Sequence, residues 1–282
     1  MMVRYFLLFS IFIGLLNNSS SAQSTEFGLF LGTSSYKGEL NNALFNFRLV
    51  QPAVGILYRK NFNNHWAYRL GINFGTVAGD DALSNNEYQN NRNLSFRSRL
   101  IDGQAILEFN FFPYQIANPE SRFTPFVFGG IGVYHFNPQA ELDGEWYDLQ
   151  PLGTEGQGTS AYPDREKYKR LAFSLPFGGG VKIKFTRRFG MTIEAGARKI
   201  YTDYLDDVST TYPEKDVLLA ENGELAVIFS DRSVDGQAIT NAKRQRGNAS
   251  DNDWFMFTGI TLNYTLSSKY GDNCTPFKGK LR

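Results

Sequence analysis

Eight segments of this chain alternate apolar and polar residues with a period of two, and the connections between them alternate short and long. Period two sends successive side chains to opposite faces, so each segment reads as a strand with two unlike environments. The clearest is 189–201, where Phe189, Met191, Ile193, Ala195 and Ala197 share one face and Thr192, Glu194, Gly196 and Arg198 the other. Segment 175–185 sets Leu175, Phe177, Val181, Ile183 and Phe185 against Gly178, Gly180, Lys182 and Lys184. Segments 66–74, 101–111 and 253–266 behave alike, and 26–33, 51–61 and 124–137 complete the set. Segment 124–137 is apolar on both faces, so its orientation stays open.

Three connections are short (62–65, 113–123 and 186–188), and four are long (34–50, 79–93, 138–170 and 202–252). In an up-and-down meander every long loop then falls at one end, with both termini at the other. Membrane-spanning β-barrels show the same asymmetry, with short periplasmic turns and longer extracellular loops. Phe62, Trp66, Phe111, Phe112, Tyr114, Phe185, Phe189 and Tyr264 gather at the short-turn end, as an interfacial girdle would. The expected fold is therefore all-β: an eight-stranded antiparallel up-and-down transmembrane β-barrel with long extracellular loops. A lumen that narrow is filled by side chains. Arg59, Arg69, Asp102, Glu108, Lys182, Glu194 and Arg198 are expected to pair inside it, making a plugged barrel and not a pore. A soluble lipocalin-like barrel is the rival, because alternation does not say which face is inward.

The N-terminal segment reads as an export signal. Arg4 gives a basic start, 5–16 is apolar but too short to span a bilayer, and Ser20, Ser21 and Ala22 supply small residues for cleavage. The chain thus divides into a signal peptide (1–22), a barrel (23–266) and a periplasmic C-terminal tail (267–282). Beyond residue 16 no run of roughly 18 apolar residues occurs, which excludes a helical membrane bundle. Lys and Arg number 29 against 28 Asp and Glu, leaving no positive field for nucleic acid. With 2 His and 1 Cys, neither a multi-Cys zinc module nor a disulfide scaffold can be built. His65 and His135 lie at opposite ends of their strands and cannot form a metal pair. Gly178, Gly179 and Gly180 lack the Lys-Ser or Lys-Thr of a phosphate loop and fit close packing inside a strand. No Ser-His spacing singles out a nucleophile, so no catalytic residue, metal or cofactor is expected. Lys243, Arg244 and Arg246 form a basic stretch in the last loop, either solvated or facing an anionic partner. Apolar positions within 213–229 fit a short helix over the barrel mouth. Cys274 stands alone in the tail, where an oxidising compartment favours an intermolecular disulfide or a free thiol.

One stretch carries a resemblance. Gly32, Ser34, Tyr36, Gly38, Glu39 and Leu40 fit a G-x-S-x-Y-x-G-[DE]-L pattern, followed by RLGINFG at 69–75, NLSFR at 93–97, LEFNF at 107–111 and TPFVFGGIG at 124–132. The chain resembles the PorG-like outer-membrane barrels of Bacteroidetes, associated with the Type IX secretion system. The resemblance implies a non-enzymatic outer-membrane protein, termini in the periplasm, that anchors the periplasmic ring of PorK and PorN. It brings no catalytic residues and no sharp docking motif. Cys274, Pro276 and Phe277 in the tail are the candidate partner contacts. The alternative is a surface-binding barrel, an adhesin or a lipopolysaccharide-contacting protein, that acts through its long loops; a lipid-modifying enzyme is a third possibility.

Overall fold

The computed structural model describes residues 24–41, 46–234 and 241–266. The expected signal peptide and the tail with Cys274, Pro276 and Phe277 lie outside the described residues. The strands are β1 (Thr25–Lys37), β2 (Gln51–Asn61), β3 (Trp66–Asp80), β4 (Ser95–Asn110), β5 (Phe123–Leu142), β6 (Glu145–Asp148), β7 (Leu171–Lys184), β8 (Phe189–Ile200) and β9 (Trp254–Thr265). Eight of them pair antiparallel in chain order, and β9 closes on β1. This is the expected up-and-down barrel, and closure leaves none of its eight staves with an unpaired edge. Among the described residues no helix is long and apolar enough to cross a membrane.

The ninth strand was not legible as a period. β5 runs 20 residues, far past the membrane-spanning length, and β6 folds back on its outer end. Asp143 and Gly144 at the bend both take positive φ, 53° and 85°. That is the backbone of the tight hairpin turns an Asp-Gly pair favours. β3 and β4 also extend beyond the alternating segments and stay paired as far as Asp80 and Ser95. The outer end of β3 carries mostly small residues (Gly75, Thr76, Ala78, Gly79), so its alternation fades while pairing continues. The outer end of β4 keeps the period, with Phe96, Ser98 and Leu100 inward.

The direction of each face decides between membrane and water. Leu29, Ile56, Ile131 and Phe173 point outward and are 48%, 59%, 66% and 72% exposed, and similar residues ring the barrel. Arg59, Arg69, Asp102 and Glu108 point inward and are buried. A soluble lipocalin-like barrel has the opposite arrangement, so that reading is overturned. Segment 124–137 is oriented by its neighbours: Phe126, Phe128, Tyr134 and Phe136 fill the lumen, while Val127, Ile131 and Val133 face out. Inside, a ring-rich layer (Phe30, Phe96, Tyr134, Phe136, Phe255 and Phe257) packs the half nearer the long loops.

The glycines of β5 separate packing from mere composition. A Cβ on Gly130 would sit 2.1 Å from the Ala105 carbonyl oxygen and 2.8 Å from Ile106 Cα, both backbone atoms of β4. A Cβ on adjacent Gly129 would meet nothing within 4 Å. Forcing the two strands apart costs about 1–3 kcal/mol, the usual range for overpacking. Gly130→Ala is therefore expected to lower the unfolding midpoint in detergent, read from the heat-modifiable band on gels, and Gly129→Ala to leave it unchanged. Equal midpoints for the two variants would refute this close approach.

Candidate functional site

The lumen is organised around one carboxylate. Glu108 on β4 receives Arg59 Nε of β2 at 2.8 Å, Arg69 Nε of β3 at 3.2 Å and Lys182 Nζ of β7 at 2.6 Å. Arg59 continues to Glu26 on β1 at 2.9 Å, and Arg69 to Glu194 on β8 at 2.5 Å. One layer toward the long loops, Arg198 Nη2 meets Asp102 at 3.3 Å and Gln104 at 3.0 Å. All seven residues expected inside stand on the lumen face. Glu26 is the one the alternation missed, and with it four cations (Arg59, Arg69, Lys182, Arg198) face four carboxylates (Glu26, Asp102, Glu108, Glu194). Aromatic faces complete the packing, with Arg69 over Phe128 at 4.9 Å, Lys182 over Phe126 at 4.5 Å and Arg198 over Phe257 at 4.7 Å.

The short-turn end is closed as well. In the β4–β5 connection Tyr114, Gln115, Ile116 and Ala117 are buried. Tyr114 N donates to Asn64 O at 2.8 Å, and Ser24 Oγ donates to Gln115 Oε1 at 3.3 Å. Tyr114 therefore does not belong to the girdle expected there. Its connection is long enough to fold back, and its apolar side chains bury themselves by doing so. Trp66, Phe111, Phe112, Phe185 and Phe189 remain exposed at this end. His65 holds Asn110 O through Nδ1 at 2.9 Å and stacks on Phe109, while His135 faces out.

At the other end the long loops fold into a cap. Among the described residues it contains four short α-helices: α1 (Glu87–Arg92), α2 (Leu149–Leu152), α3 (Lys215–Glu221) and α4 (Glu224–Ser230). The region expected to hold one helix over the mouth forms two, α3 and α4. Phe229 of α4 packs on Leu149 and Ala140 beside the outer end of β5. Arg92 is clamped by Asp81, with Nε to Oδ2 at 2.7 Å and Nη2 to Oδ1 at 2.8 Å. Arg246, from the basic stretch, is buried and pairs with Glu155 at 3.0 Å. The stretch thus turns its last arginine inward.

Beneath the cap, four acidic residues converge with no ion pair to a cation among the described residues. Arg92, clamped by Asp81, donates only to the Glu39 backbone oxygen at 3.2 Å, and its charge offsets part of the burial cost of Glu39 and Asp206. Glu39 follows β1, Asp203 and Asp206 follow β8, and Asp253 precedes β9. Carboxylate oxygens of Glu39, Asp206 and Asp253 all lie within 4.8 Å of one another. Tyr36 donates its hydroxyl to Asp206 Oδ2, and Val208 N donates to Oδ1 at 2.9 Å. Leu205 N donates to Asp253 Oδ2 at 3.0 Å. Burial, followed by the neighbouring charges of Glu39 and Asp206, pushes Asp203 up to about 9. Burial also pushes Glu39 up to about 7 and holds Asp206 and Asp253 well above the carboxylate range. Buried like charges this close cannot all ionise without a counter-cation. The sequence offered no pattern for this group, because its members lie on three segments up to 214 residues apart, from Glu39 to Asp253.

A closed antiparallel barrel of eight staves, with ions inside, apolar side chains outside and long loops at one end, defines an outer-membrane-type β-barrel. By sequence the chain belongs to the family described as a domain of unknown function, DUF6089, whose model matches residues 5–222. No curated protein matches it in sequence. Among solved structures it is similar to Ail, the attachment invasion locus protein of Yersinia pestis, crystallised with the heparin analogue sucrose octasulfate. That match has 9% identity over 86% of this chain and 98% of that chain, with a TM-score of 0.41. Neisserial surface protein A is similar at 8% identity, 88% and 99% coverage and a TM-score of 0.38. OprG of Pseudomonas aeruginosa is similar at 10% identity, 86% and 94% coverage and a TM-score of 0.34.

The lumen network has a measurable signature. Truncating Glu108 takes the shared carboxylate from three buried cations, leaving Arg59 to Glu26, Arg69 to Glu194 and Lys182 with no carboxylate. Breaking a buried ion pair from one side costs about 3–5 kcal/mol. Glu108→Ala is expected to lower the guanidinium unfolding midpoint strongly in detergent micelles. Lys243→Ala, which breaks an exposed pair with Glu214, is expected to change stability by under about 1 kcal/mol. A Glu108→Ala midpoint near wild type would show that the network is not the organising centre.

Proposed function

We propose that this barrel is a non-enzymatic outer-membrane component of a Type IX protein secretion system, which anchors a periplasmic ring of PorK and PorN. The observation that carries the reading is the filled lumen: ions pack its centre, and Tyr114 to Ala117 close its short-turn end. A barrel whose described lumen is filled by side chains in this way acts, on this reading, through its ends and its wall. The stretch from Gly32 to Leu40, which carries the resemblance to PorG-like barrels, supports the specific role. Ser24 and Leu266 both lie at the short-turn end, where Leu266 N donates to Thr25 O at 3.0 Å. On this reading that end faces the periplasm, and the tail with Cys274, Pro276 and Phe277 meets the ring. The wall contacts lipid, and the outer rim contacts lipopolysaccharide.

A surface-binding barrel is the second reading, favoured by the folded cap and by the β5–β6 hairpin packed into it at the long-loop end. The two place function at opposite ends. Affinity capture of the barrel from detergent-solubilised outer membrane is expected to recover the ring proteins and to lose them when residues 267–282 are deleted. Recovery and cargo secretion that both survive the deletion would favour the loops. Cys274→Ser is expected to abolish a higher-mass band on non-reducing gels; an unchanged band pattern would remove the covalent contact from the proposal.

A further inference from the structure

We propose that Glu39, Asp206 and Asp253, with Asp203 beside them, form a divalent-cation site of the calcium class at the mouth of the barrel. Oxygens bound to one calcium ion at about 2.4 Å lie no more than about 4.8 Å apart. The three carboxylates meet that limit. Proximity alone would not make a site; the orphaned oxygens add a separate observation. Asp253 is fully buried, yet its Oδ1 has no hydrogen-bond partner. Asp203, 6% exposed, and Glu39 Oε2 also lack a partner at good hydrogen-bond geometry, although the Asp203 carboxyl lies within reach of Glu39 and Ser209, so Asp253 Oδ1 is the clearest orphan. Buried acceptors left unpaired are costly, and a cation is the partner that serves several at once.

The free oxygen of Asp253 points into the cluster. A Cβ on Gly38 would lie 1.9 Å from Asp253 Oδ1 and 2.1 Å from the Tyr36 hydroxyl, so these two atoms flank one cradle. The same hydroxyl holds Asp206. Of the nearby cations, Arg246 pairs with Glu155, and Arg92 is clamped by Asp81. Arg92 acts on Glu39 and Asp206 through its charge but makes no ion pair with either, and both stay raised despite it. With only carboxylates and no His or Cys, the donors are hard oxygens, which select calcium or magnesium over transition metals. Ligands drawn from three separate segments suit the irregular coordination of calcium better than the strict octahedron of magnesium. Bound there, the ion ties the end of β1 to the loop after β8 and to the start of β9, and so holds the cap on the barrel. This inference does not depend on the secretion reading.

Terbium, a calcium substitute excited through nearby tyrosine, provides the test. The full barrel in non-ionic detergent, stripped of lipopolysaccharide, is expected to show saturable terbium luminescence. Calcium should displace it with a Kd on the order of 10⁻⁴–10⁻³ M, the range of extracellular modules. Calcium should also slow proteolysis within 202–252 relative to chelator. Asp206→Asn combined with Asp253→Asn should abolish both effects while heat-modifiable migration shows the barrel folded. Should that double variant fail to fold, Tyr36→Phe retains every carboxylate and loses only the hydroxyl that positions Asp206. It is expected to bind about tenfold more weakly, as for other outer-shell partners. No saturable binding, no protection of the loop by calcium, or unchanged affinity in the variants would overturn the site.

Discussion

The structure depends on the three cations that converge on Glu108. Arg59, Arg69 and Lys182 come from three different strands, and Glu26 and Glu194 extend the group to two more. These contacts exist only when the sheet curls fully round, because in an open sheet most of the partners would be far apart. Buried ion pairs often contribute little net stability, since desolvation offsets their attraction. Their larger effect here is on register. A strand that slipped by one residue would send its charge to the lipid face and its Leu or Ile into the network, so each charged position penalises the wrong pairing.

Filling the lumen also decides which surfaces stay open. Eight strands leave room for side chains and little more. The centre uses that room for ions, the outer half for rings, and the folded-back β4–β5 connection seals the bottom. What remains for recognition is the short-turn rim, the apolar wall and the cap. The cap has its own internal order, with Arg92 on Asp81 and Arg246 on Glu155, and is more than a set of solvated loops.

Two electrostatic solutions therefore coexist a few layers apart. In the lumen, cations and carboxylates balance, and every charge has an opposite neighbour. At the mouth Glu39, Asp203, Asp206 and Asp253 gather with no basic side chain paired to any of them among the described residues. The stretch from Gly32 to Leu40 builds one wall of that acidic group through Tyr36, Gly38 and Glu39. The residues that carry the sequence resemblance thus serve a local site as well as a strand.

Much of the barrel was legible because period two is a local property. Glu194 and Arg198 stand two pleats apart on one face of β8, and alternation alone says they share an environment. Alternation also yielded eight staves, their order and the ends at which the long loops fall. It could not say which face was inward for 124–137, where Phe126 and Val127 are both apolar; the choice was made by packing against Ile106 and the ions beyond. Tyr114 looked like a girdle residue from its place in the chain and is buried because its turn folds back. Glu26 was hidden among apolar and small neighbours on β1. The acidic group at the mouth was beyond any sequence pattern, since its members meet only after the barrel closes and the last long loop returns to β1. Local alternation determined the walls of this protein, and long-range closure decided what lies inside them and at their rim.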